Sequence, residues 1–517
     1  MGKGLFFESQ NSQSMGEMQR TRRSMVLTSQ AFSVHLFKIC VMYRRYLNQL
    51  LKTSFLLLVT FISSDMWSQV TWNEPIDVAP SSFGNVRPRI TNNASGSPLI
   101  IWGKSADLMY TRWDETAFAT PLKLNPNGVT IASATWMGPE LAAHGDTIYI
   151  VYKQTPEDLA TSHIWLLRSF DGGTTFLPPV QVENTGTDKS RFPTVTTDDE
   201  GHPIIAFMRF NPSFLEARWV VTRSYDFGET FTTDVLASGW SSQQSDVCDC
   251  CPGTIHSSGD NVVVVYRDNN NNLRDSWAGF SSDGGLTFIR GVNIDQNGWM
   301  IEACPATGPD AVMIGDTLYS TFMSAASGQA LVYYNETPIN NLSTPPSTPV
   351  PGTGEALQQN FSRFASSGQA AALLWRHSAE FSTGLALMFT DDIAKGFSDS
   401  FDTLAYSLVV NGDVAVTDTE VLVAWQDNGT SKVKFRSGTY ETSTGIESNS
   451  IATHLEFYPN PVADELILQK EASIVSITDM SGRQVLTGNG CCIDVRSLSN
   501  GIYFISTEYG WGKFVKN

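Results

Sequence analysis

The middle of the chain is a repeat, and this repeat constrains the fold more than any other feature of the sequence. A unit recurs every ~50–58 residues, with a short opening segment followed by an apolar strand that ends in an aromatic residue. Short strands at even spacing indicate a sandwich, a barrel or a propeller, and about four strands per unit favour the propeller. We therefore predict an all-β chain with seven blades, or with six if one weak unit is an insertion. The strand-ending aromatic residues are Trp102, Tyr152, Phe207, Tyr266, Phe322, Trp375 and Trp425.

The two ends of the repeat region are predicted to pair. The seventh unit ends at Lys432–Arg436 and lacks an outer strand of its own, whereas Val70–Ile76 precedes the first unit and resembles such a strand. Pairing of these two segments would close the ring and leave no exposed sheet edge.

Three units share the pattern Ser-x-Asp-x-Gly-x-Thr-Phe at the turn between their third and fourth strands. Ser and Asp side chains can bond the turn amides, glycine can take a positive φ, and the Phe packs between strands. The pattern resembles the Asp box, or bacterial neuraminidase repeat, of sialidase-like β-propellers, in which the boxes are structural turns away from the active site. The resemblance implies this structural role for Ser169, Asp171, Gly173 and Phe176, for Ser224, Asp226, Gly228 and Phe231, and for Ser281, Asp283, Gly285 and Phe288.

Several cations are expected on one face of the propeller. Chain direction places the starts of first strands and the ends of second strands on the same face, here the top face, around the central channel. A guanidinium group suits a carboxylate or a sulfate, so at least two of these cations are expected to converge on an anionic ligand. The alternative for each is an ion pair that stiffens a loop. The ligand-binding candidates are Arg87, Arg191, Arg267, Arg274 and Arg376, and the same face receives Lys153, Arg209 and Arg363.

Resemblance to sialidases also implies an arginine triad for a sialate carboxylate, a tyrosine nucleophile paired with glutamate, and an aspartate acid/base. Arg191-Phe192-Pro193 resembles the family's Arg-Ile-Pro motif but lies in the third unit, and Arg87-Pro88 lacks the intervening residue. Glu140 and Glu302 are acids without a motif, and the catalytic residues stay unassigned. Two hypotheses follow: a glycosidase, most simply an exo-sialidase, or a non-catalytic surface propeller that binds glycan or protein.

Four cysteines cluster at the starts of the fourth and fifth units. The repeat register makes Cys304 a neighbour of Cys248, Cys250 and Cys251 on the top face, and export favours oxidation. We expect a disulfide from Cys304 to one of the other three, and the remaining two could form a second, very short loop. A soft-metal site and free thiols are the alternatives, and the adjacent pair fits zinc spacing poorly. We predict no resident metal or cofactor. The Cys-Asp-Cys-Cys-Pro string resembles a subset of secreted bacterial sialidase-like propellers of unassigned activity.

The N-terminal region is typical of a secretory leader. Leu56–Ile62 is a short apolar run that follows Arg44, Arg45 and Lys52, and small residues near Ser68/Gln69 suit cleavage. We assign residues 1–68 to the signal-peptide region. Residues 1–41 are interpreted as a mis-assigned start, because Met42 would give a signal of ordinary length, and the alternative is a genuine N-terminal extension.

The C-terminal region carries a second export signal. After the propeller at 69–440 and a polar linker at 441–451, residues 452–517 have short alternating strands that predict a small β-sandwich. Their ordered motifs Tyr-Pro-Asn-Pro, Asp-x-x-Gly-Arg, Leu-x-x-Gly-x-Tyr and Lys-Phe-x-Lys are similar to the C-terminal sorting domain of type IX secretion cargo. The resemblance implies a Bacteroidetes-type envelope, contact with the secretion machinery, removal of the tail, and a secreted or outer-membrane-surface location.

The net charge disfavours nucleic acid as a binding partner. The formal net charge is −18 for the chain and −23 for residues 69–517, and an electrostatic nucleic-acid binder carries the opposite sign. No apolar run after the leader is long enough to span a membrane. We therefore expect an exported, acidic, monomeric protein that binds or processes extracellular glycans.

Overall fold

The computed structural model describes residues 70–79, 84–242, 246–352, 358–379, 381–441, 455, 457–480, 483–507 and 510–517. The predicted leader at 1–68, its cleavage site near Ser68/Gln69, and residues 442–451 of the predicted linker lie outside these residues. Within the described part, seven antiparallel sheets are followed by one C-terminal sheet. The single helix among these residues is a 3-10 turn at Ile393–Lys395.

Each of the seven sheets is one blade with three long strands and a short outer one. The inner strands are Asn85–Asn92, Glu140–His144, Lys189–Thr197, Thr254–Ser258, Asp310–Ile314, Gln358–Ser367 and Val409–Val416. The second strands are Pro98–Lys104, Thr147–Lys153, Pro203–Phe210, Asn261–Asn269, Thr317–Ser324, Ala370–Ser378 and Glu420–Asp427. The third strands are Asp107–Asp114, Ile164–Ser169, Arg218–Arg223, Ser276–Ser281, Leu331–Pro338, Thr383–Thr390 and Lys432–Thr439.

The outer strands are shorter. In blades 1 to 6 they are Leu122–Lys123 (with Ala117–Phe118), Val180–Gln181, Val235–Leu236, Arg290–Asn293, Thr348–Pro349 and Asp402–Ser407. Blade 4 has one more short strand, Asp246–Val247, which pairs with its second strand.

The blades form a closed ring. The inner strand of each blade contacts the inner strand of the next, and the inner strand of blade 7 contacts that of blade 1. Blade 7 takes its outer strand from the N-terminal end of the described chain, because Thr71–Trp72 and Ile76–Asp77 both pair with Lys432–Thr439. The ring therefore confirms the propeller prediction with seven blades, and the expected pairing of the two ends is present.

The strand-ending aromatic residues pack between blades. All seven are buried, from Phe207 and Tyr266 at 0 % exposed to Trp425 at 3 %. Burying one such side chain contributes about 1.5–3 kcal/mol. These aromatic residues are therefore core residues of the propeller.

The three Ser-x-Asp-x-Gly turns contain the expected hydrogen bonds. In the turn of blade 2, the Gly173 N–H donates to Ser169 Oγ at 3.0 Å, and the Thr175 N–H donates to Asp171 Oδ1 at 2.9 Å. The turns of blades 3 and 4 repeat this pattern. Hydrogen bonds from Thr175 are the main reason that the pKa of Asp171 falls to about 2. These contacts fix each turn without any ligand.

Two of these glycines allow a matched test of turn geometry. Gly173 and Gly285 have φ values of 81° and 84°, but an added Cβ would lie 2.2 Å from Tyr110 Oη at Gly173 and 3.6 Å from its nearest neighbour at Gly285. Gly285→Ala should therefore lower the free energy of unfolding by about 1–2 kcal/mol, through backbone strain alone. Gly173→Ala should lower it by about 1–3 kcal/mol more, because the added methyl group overpacks the core. Denaturant unfolding checks both values, and equal costs would contradict the clash at Gly173.

The C-terminal module has its own sheet and core. Its strands are Phe457–Tyr458, Glu465–Thr478, Gln484–Asp494, Gly501–Thr507 and Gly510–Lys516. The 14-residue strand Glu465–Thr478 pairs with Gln484–Asp494 and also, near its two ends, with Phe457–Tyr458 and Gly501–Thr507. Gly510–Lys516 pairs with Gly501–Thr507, so five strands are hydrogen-bonded together. They enclose a buried core of their own, in agreement with the predicted small all-β module.

Candidate functional site: the mouth of the central channel

One residue from each inner strand occupies an equivalent position in the ring. Each of the seven is the pairing partner of the residue just before the strand-ending aromatic, so all seven stand at the same level of the channel. Five of them are charged. The set, here called the channel ring, is Arg89, Glu140, Thr194, Thr254, Asp310, Arg363 and Asp413.

Charges of opposite sign are neighbours in the channel ring. Arg363 Nε lies 2.6 Å from Asp413 Oδ1 and 3.3 Å from Asp310 Oδ2. Arg89 Nε lies 3.1 Å from Glu140 Oε2. Asp413 Oδ2 also accepts the backbone N–H of Ile90 at 2.9 Å, which links blades 7 and 1. The ring charges therefore hold neighbouring blades together.

A bulge brings one more arginine to the ring. Arg87 has a φ of 49° at the shift in register between Val86 and Arg89, and its guanidinium bonds Glu140 and the carbonyl of Pro139. Equivalent bulges place Phe192 and Phe361 at φ values of 49° and 50° in blades 3 and 6. A bulge redirects a side chain at a strand end, and here it gives Glu140 a second arginine partner.

Glu140 and Asp310 are held ionised by their arginine neighbours. Burial alone would raise the pKa of Glu140, but the charges of Arg87, Arg89 and Arg363 outweigh it and bring the pKa to about 2. At Asp310, burial also acts to raise the pKa, but the charge of Arg363 is the main effect that holds this pKa well below the ordinary range. Burial is the main reason that the pKa of Arg87 falls to about 10, so this arginine is still charged at neutral pH.

A shallow depression lies over the ring at the top face. It is lined by Arg87, Arg89 and Arg363 together with Trp136 and with loop segments that include 252–254 and 307–309. The cavity measures about 30 Å³. That volume holds one or two water molecules, so a whole sugar ring does not fit inside it.

Two of the predicted ligand-binding arginines lie in the interior of blade 4. Arg267 is fully buried, and its three nitrogens donate to the carbonyls of Thr307, Arg274 and Met323 at 3.2, 2.6 and 2.6 Å. Arg274 is buried and donates to Cys248 Sγ at 3.0 Å. In this geometry both side chains hydrogen-bond groups of the protein interior.

The other two predicted arginines lie away from the depression. Arg191 bonds Glu157 and the carbonyl of Asp249 at 3.1 Å each, and it stacks over Phe192. Arg376 is partly buried, and among the described residues no carboxylate lies within 4.0 Å of it. Of the five candidates, Arg87 alone lines the depression.

The sequence predictions cover only part of the channel ring. They include Arg363 on the top face and Glu140 as an acid without a motif, but not Arg89, Asp310 or Asp413. A signal was present, because each of the charged ring residues stands 12 or 13 positions before a strand-ending aromatic. Aligning the units on the aromatic residue would have shown that position.

The cysteine cluster joins blades 4 and 5. Cys250 and Cys304 form a disulfide, which is one of the three pairings expected for Cys304. Cys248 and Cys251 are buried thiols whose sulfurs lie 2.7 Å apart. A guanidinium beside Cys248 and a disulfide at Cys250 both disfavour a cation at this cluster.

Comparisons with known proteins bear on the two modules separately. No curated protein matches the chain. A protein of unknown function from Dyadobacter fermentans has a TM-score of 0.43 at 10% identity, covering 72% of this chain and 99% of that one. An ulvan lyase has a TM-score of 0.45 at 10% identity (71% and 94% covered), and Trypanosoma rangeli sialidase has 0.41 at 9% (86% and 88%). Likeness at this level says nothing about activity or substrate.

Among the described residues, no helix combines the length and the hydrophobicity that a membrane crossing requires.

The C-terminal module has a family match. Residues 456–517 match the family model described as a secretion system C-terminal sorting domain. These residues therefore form a sorting domain, and the protein is exported by type IX secretion to the cell surface or the extracellular space.

Proposed function

We propose that the propeller is a non-catalytic surface module that binds the anionic group of an extracellular glycan at the mouth of its central channel. One observation carries the proposal: three guanidinium groups border the depression, and every carboxylate of the channel ring already has an arginine partner. The three guanidinium groups are balanced by three carboxylates, so the depression offers an anion unbonded guanidinium N–H groups rather than an excess of positive charge.

The ring carboxylates are poor candidates for glycoside hydrolysis. A glycosidase of the two-carboxylate type needs an acid whose raised pKa lets it protonate the leaving group near neutral pH. The pKa of Glu140 is instead about 2, and that of Asp310 is also lowered. Binding is therefore favoured over the exo-sialidase alternative.

Arg363 supplies the best-placed donors for a ligand. Its side chain is 18% exposed, and Nε makes its one hydrogen bond to a described residue, with Asp413. One terminal nitrogen, Nη2, lies 3.8 Å from Glu140 Oε2, which is beyond hydrogen-bond distance. Both terminal nitrogens can therefore donate to a carboxylate or sulfate, which suits the planar fork of a guanidinium. Since the cavity holds one or two waters, the anionic group alone would enter and the sugar ring would stay outside.

Glycan binding by residues 69–517, the chain without its predicted leader, tests the proposal. We expect binding to sialylated, sulfated or uronic-acid glycans over neutral ones, weakened by added salt. Arg363→Lys keeps the charge but removes the fork, and it should weaken binding about tenfold. Arg112→Lys, on a third strand, is the control. Equal binding to neutral glycans, or turnover of a fluorogenic sialoside, would overturn the proposal.

A further inference from the structure

The cysteine cluster contains the parts of a thiol–disulfide exchange centre that glycan binding does not use. Cys248 Sγ lies 2.7 Å from Cys251 Sγ and 3.5 Å from Cys250 Sγ, and Cys250 is bonded to Cys304. One thiol, Cys248, therefore contacts the disulfide at Cys250, and a second thiol, Cys251, contacts Cys248. We propose that Cys248 and Cys251 exchange with the Cys250–Cys304 bridge, so that the disulfide linking blades 4 and 5 can open and re-form without an external oxidant.

Exposure determines which of the four sulfurs a thiol in solution can reach. Cys248 and Cys251 are both 0% exposed, Cys250 is partly buried, and Cys304 is exposed. A reductant in solution therefore meets Cys304 first and does not meet the buried pair. Cys248 and Cys251 can therefore reach the bridge only through Cys250, whose sulfur is already in contact with Cys248 Sγ.

Cys248 is the attacking sulfur. The groups against it are Cys250 and Cys251 from its own loop, Arg274, whose guanidinium donates to Cys248 Sγ at 3.0 Å, and Arg267. The hydrogen bond between Cys248 and Cys251, together with the charges of Arg274 and Arg267, outweighs burial and lowers the pKa of Cys248 to about 7, whereas burial raises the pKa of Cys251. The thiolate is the nucleophile in such exchange, and a pKa near the ambient pH favours it.

The exchange balances in two steps. The Cys248 thiolate attacks Cys250, the Cys248–Cys250 bond forms, and the bond to Cys304 breaks, so that Cys304 leaves as a thiolate and takes up a proton from solvent. Deprotonated Cys251 then attacks Cys248, the Cys248–Cys251 bond forms, and Cys250 leaves and is protonated. One disulfide and two thiols stand on each side, and the two thiol protons end on Cys250 and Cys304.

The product state would release one wall of the channel mouth. Residues 252–254 follow Cys251 directly, residues 307–309 follow Cys304 closely, and both segments line the depression. Only the Cys250–Cys304 bridge ties them covalently within the described residues. Exchange itself is independent of the proposed glycan ligand, so it can be tested without one.

Disulfide mapping of exported protein that holds one disulfide in the cluster tests the proposal. After acid quenching, alkylation and peptide mass spectrometry, we expect both Cys250–Cys304 and Cys248–Cys251 isomers, which interconvert without added thiol at a rate that rises with pH, because Cys251, whose pKa is raised, must also lose its proton. Formation of the Cys248–Cys250 isomer, which needs only the Cys248 thiolate, should rise through pH 7. Cys251→Ser should stop at the Cys248–Cys250 isomer. Arg274→Gln should move the midpoint of the pH–rate profile up by about one unit or more, and Arg209→Gln, whose partners are in blade 3, should not.

Three results would overturn the proposal. The first is a Cys250–Cys304 bridge that persists as the sole isomer up to pH 9. The second is an unchanged pH midpoint in folded Arg274→Gln protein. The third is stoichiometric zinc or copper that co-purifies and protects the thiols, which would assign the cluster to a metal. The mapping of wild type and Cys251→Ser stands even if Arg274→Gln fails to fold.

Discussion

Replacing Arg267 with methionine should lower the free energy of unfolding by about 3–5 kcal/mol. The arginine is fully buried and satisfies the carbonyls of Thr307, Arg274 and Met323, two of which belong to the loop and strand of the next blade. Methionine retains most of the apolar volume but leaves three buried acceptors without a donor. Urea unfolding of the propeller measures the loss.

Arg112→Met is the matched control for this measurement. Its side chain is 31% exposed, and its ion pair with Asp114 is long at 3.9 Å, so its loss should cost about 0.5 kcal/mol or less. A cost at Arg267 as small as the control would contradict the interblade role.

Glu140→Gln should be the second strongly destabilising change, again by about 3–5 kcal/mol. Glu140 is buried against Arg87 and Arg89, and the neutral amide would leave these guanidinium groups without a counter-charge. Glu229→Gln is the control, since its side chain is 71% exposed and its contact with Arg168 spans 3.9 Å. A difference below about 1 kcal/mol between the two variants would show that the ring pairs contribute little.

The same variant has a pH signature. The folded pKa of Glu140, about 2, lies below its ordinary value, so its stabilisation is complete above about pH 5 and is lost as the pH falls towards 2. Glu140→Gln should therefore be less sensitive to acid over this interval than the wild type. Asp310, whose pKa is also lowered, leaves the variant some acid sensitivity. Unfolding free energies between pH 2 and 6 give the comparison.

The sequence predicted the blades better than the channel. Each blade is signalled locally, by an aromatic residue after an apolar run and by turns such as Ser224–Phe231. The channel ring depends on contacts between blades, and Asp413 bonds the N–H of Ile90 across the closure of the ring. No local sequence pattern predicts the contact between Asp413 and Ile90.

The sequence also could not predict the direction of side chains at strand ends. Arg267 ends an apolar strand as a ligand-binding residue would, but its surroundings turn it inward to three carbonyls. For Cys304 the repeat register identified the neighbouring loop correctly, whereas the choice of Cys250 depends on the conformation of four successive residues. Spacing alone does not determine that conformation.

The strand exchange between the two ends of the propeller makes completion of the chain a condition for completion of the fold. Blades 1 to 6 are built from strands close in sequence and can form during synthesis, whereas Thr71 must wait for Thr439. A chain cut short within blade 7 keeps an unpaired edge, which is prone to aggregate. It also lacks the sorting domain at 456–517, because that domain is made last. Full-length synthesis thus permits ring closure and export together, and a truncated product achieves neither.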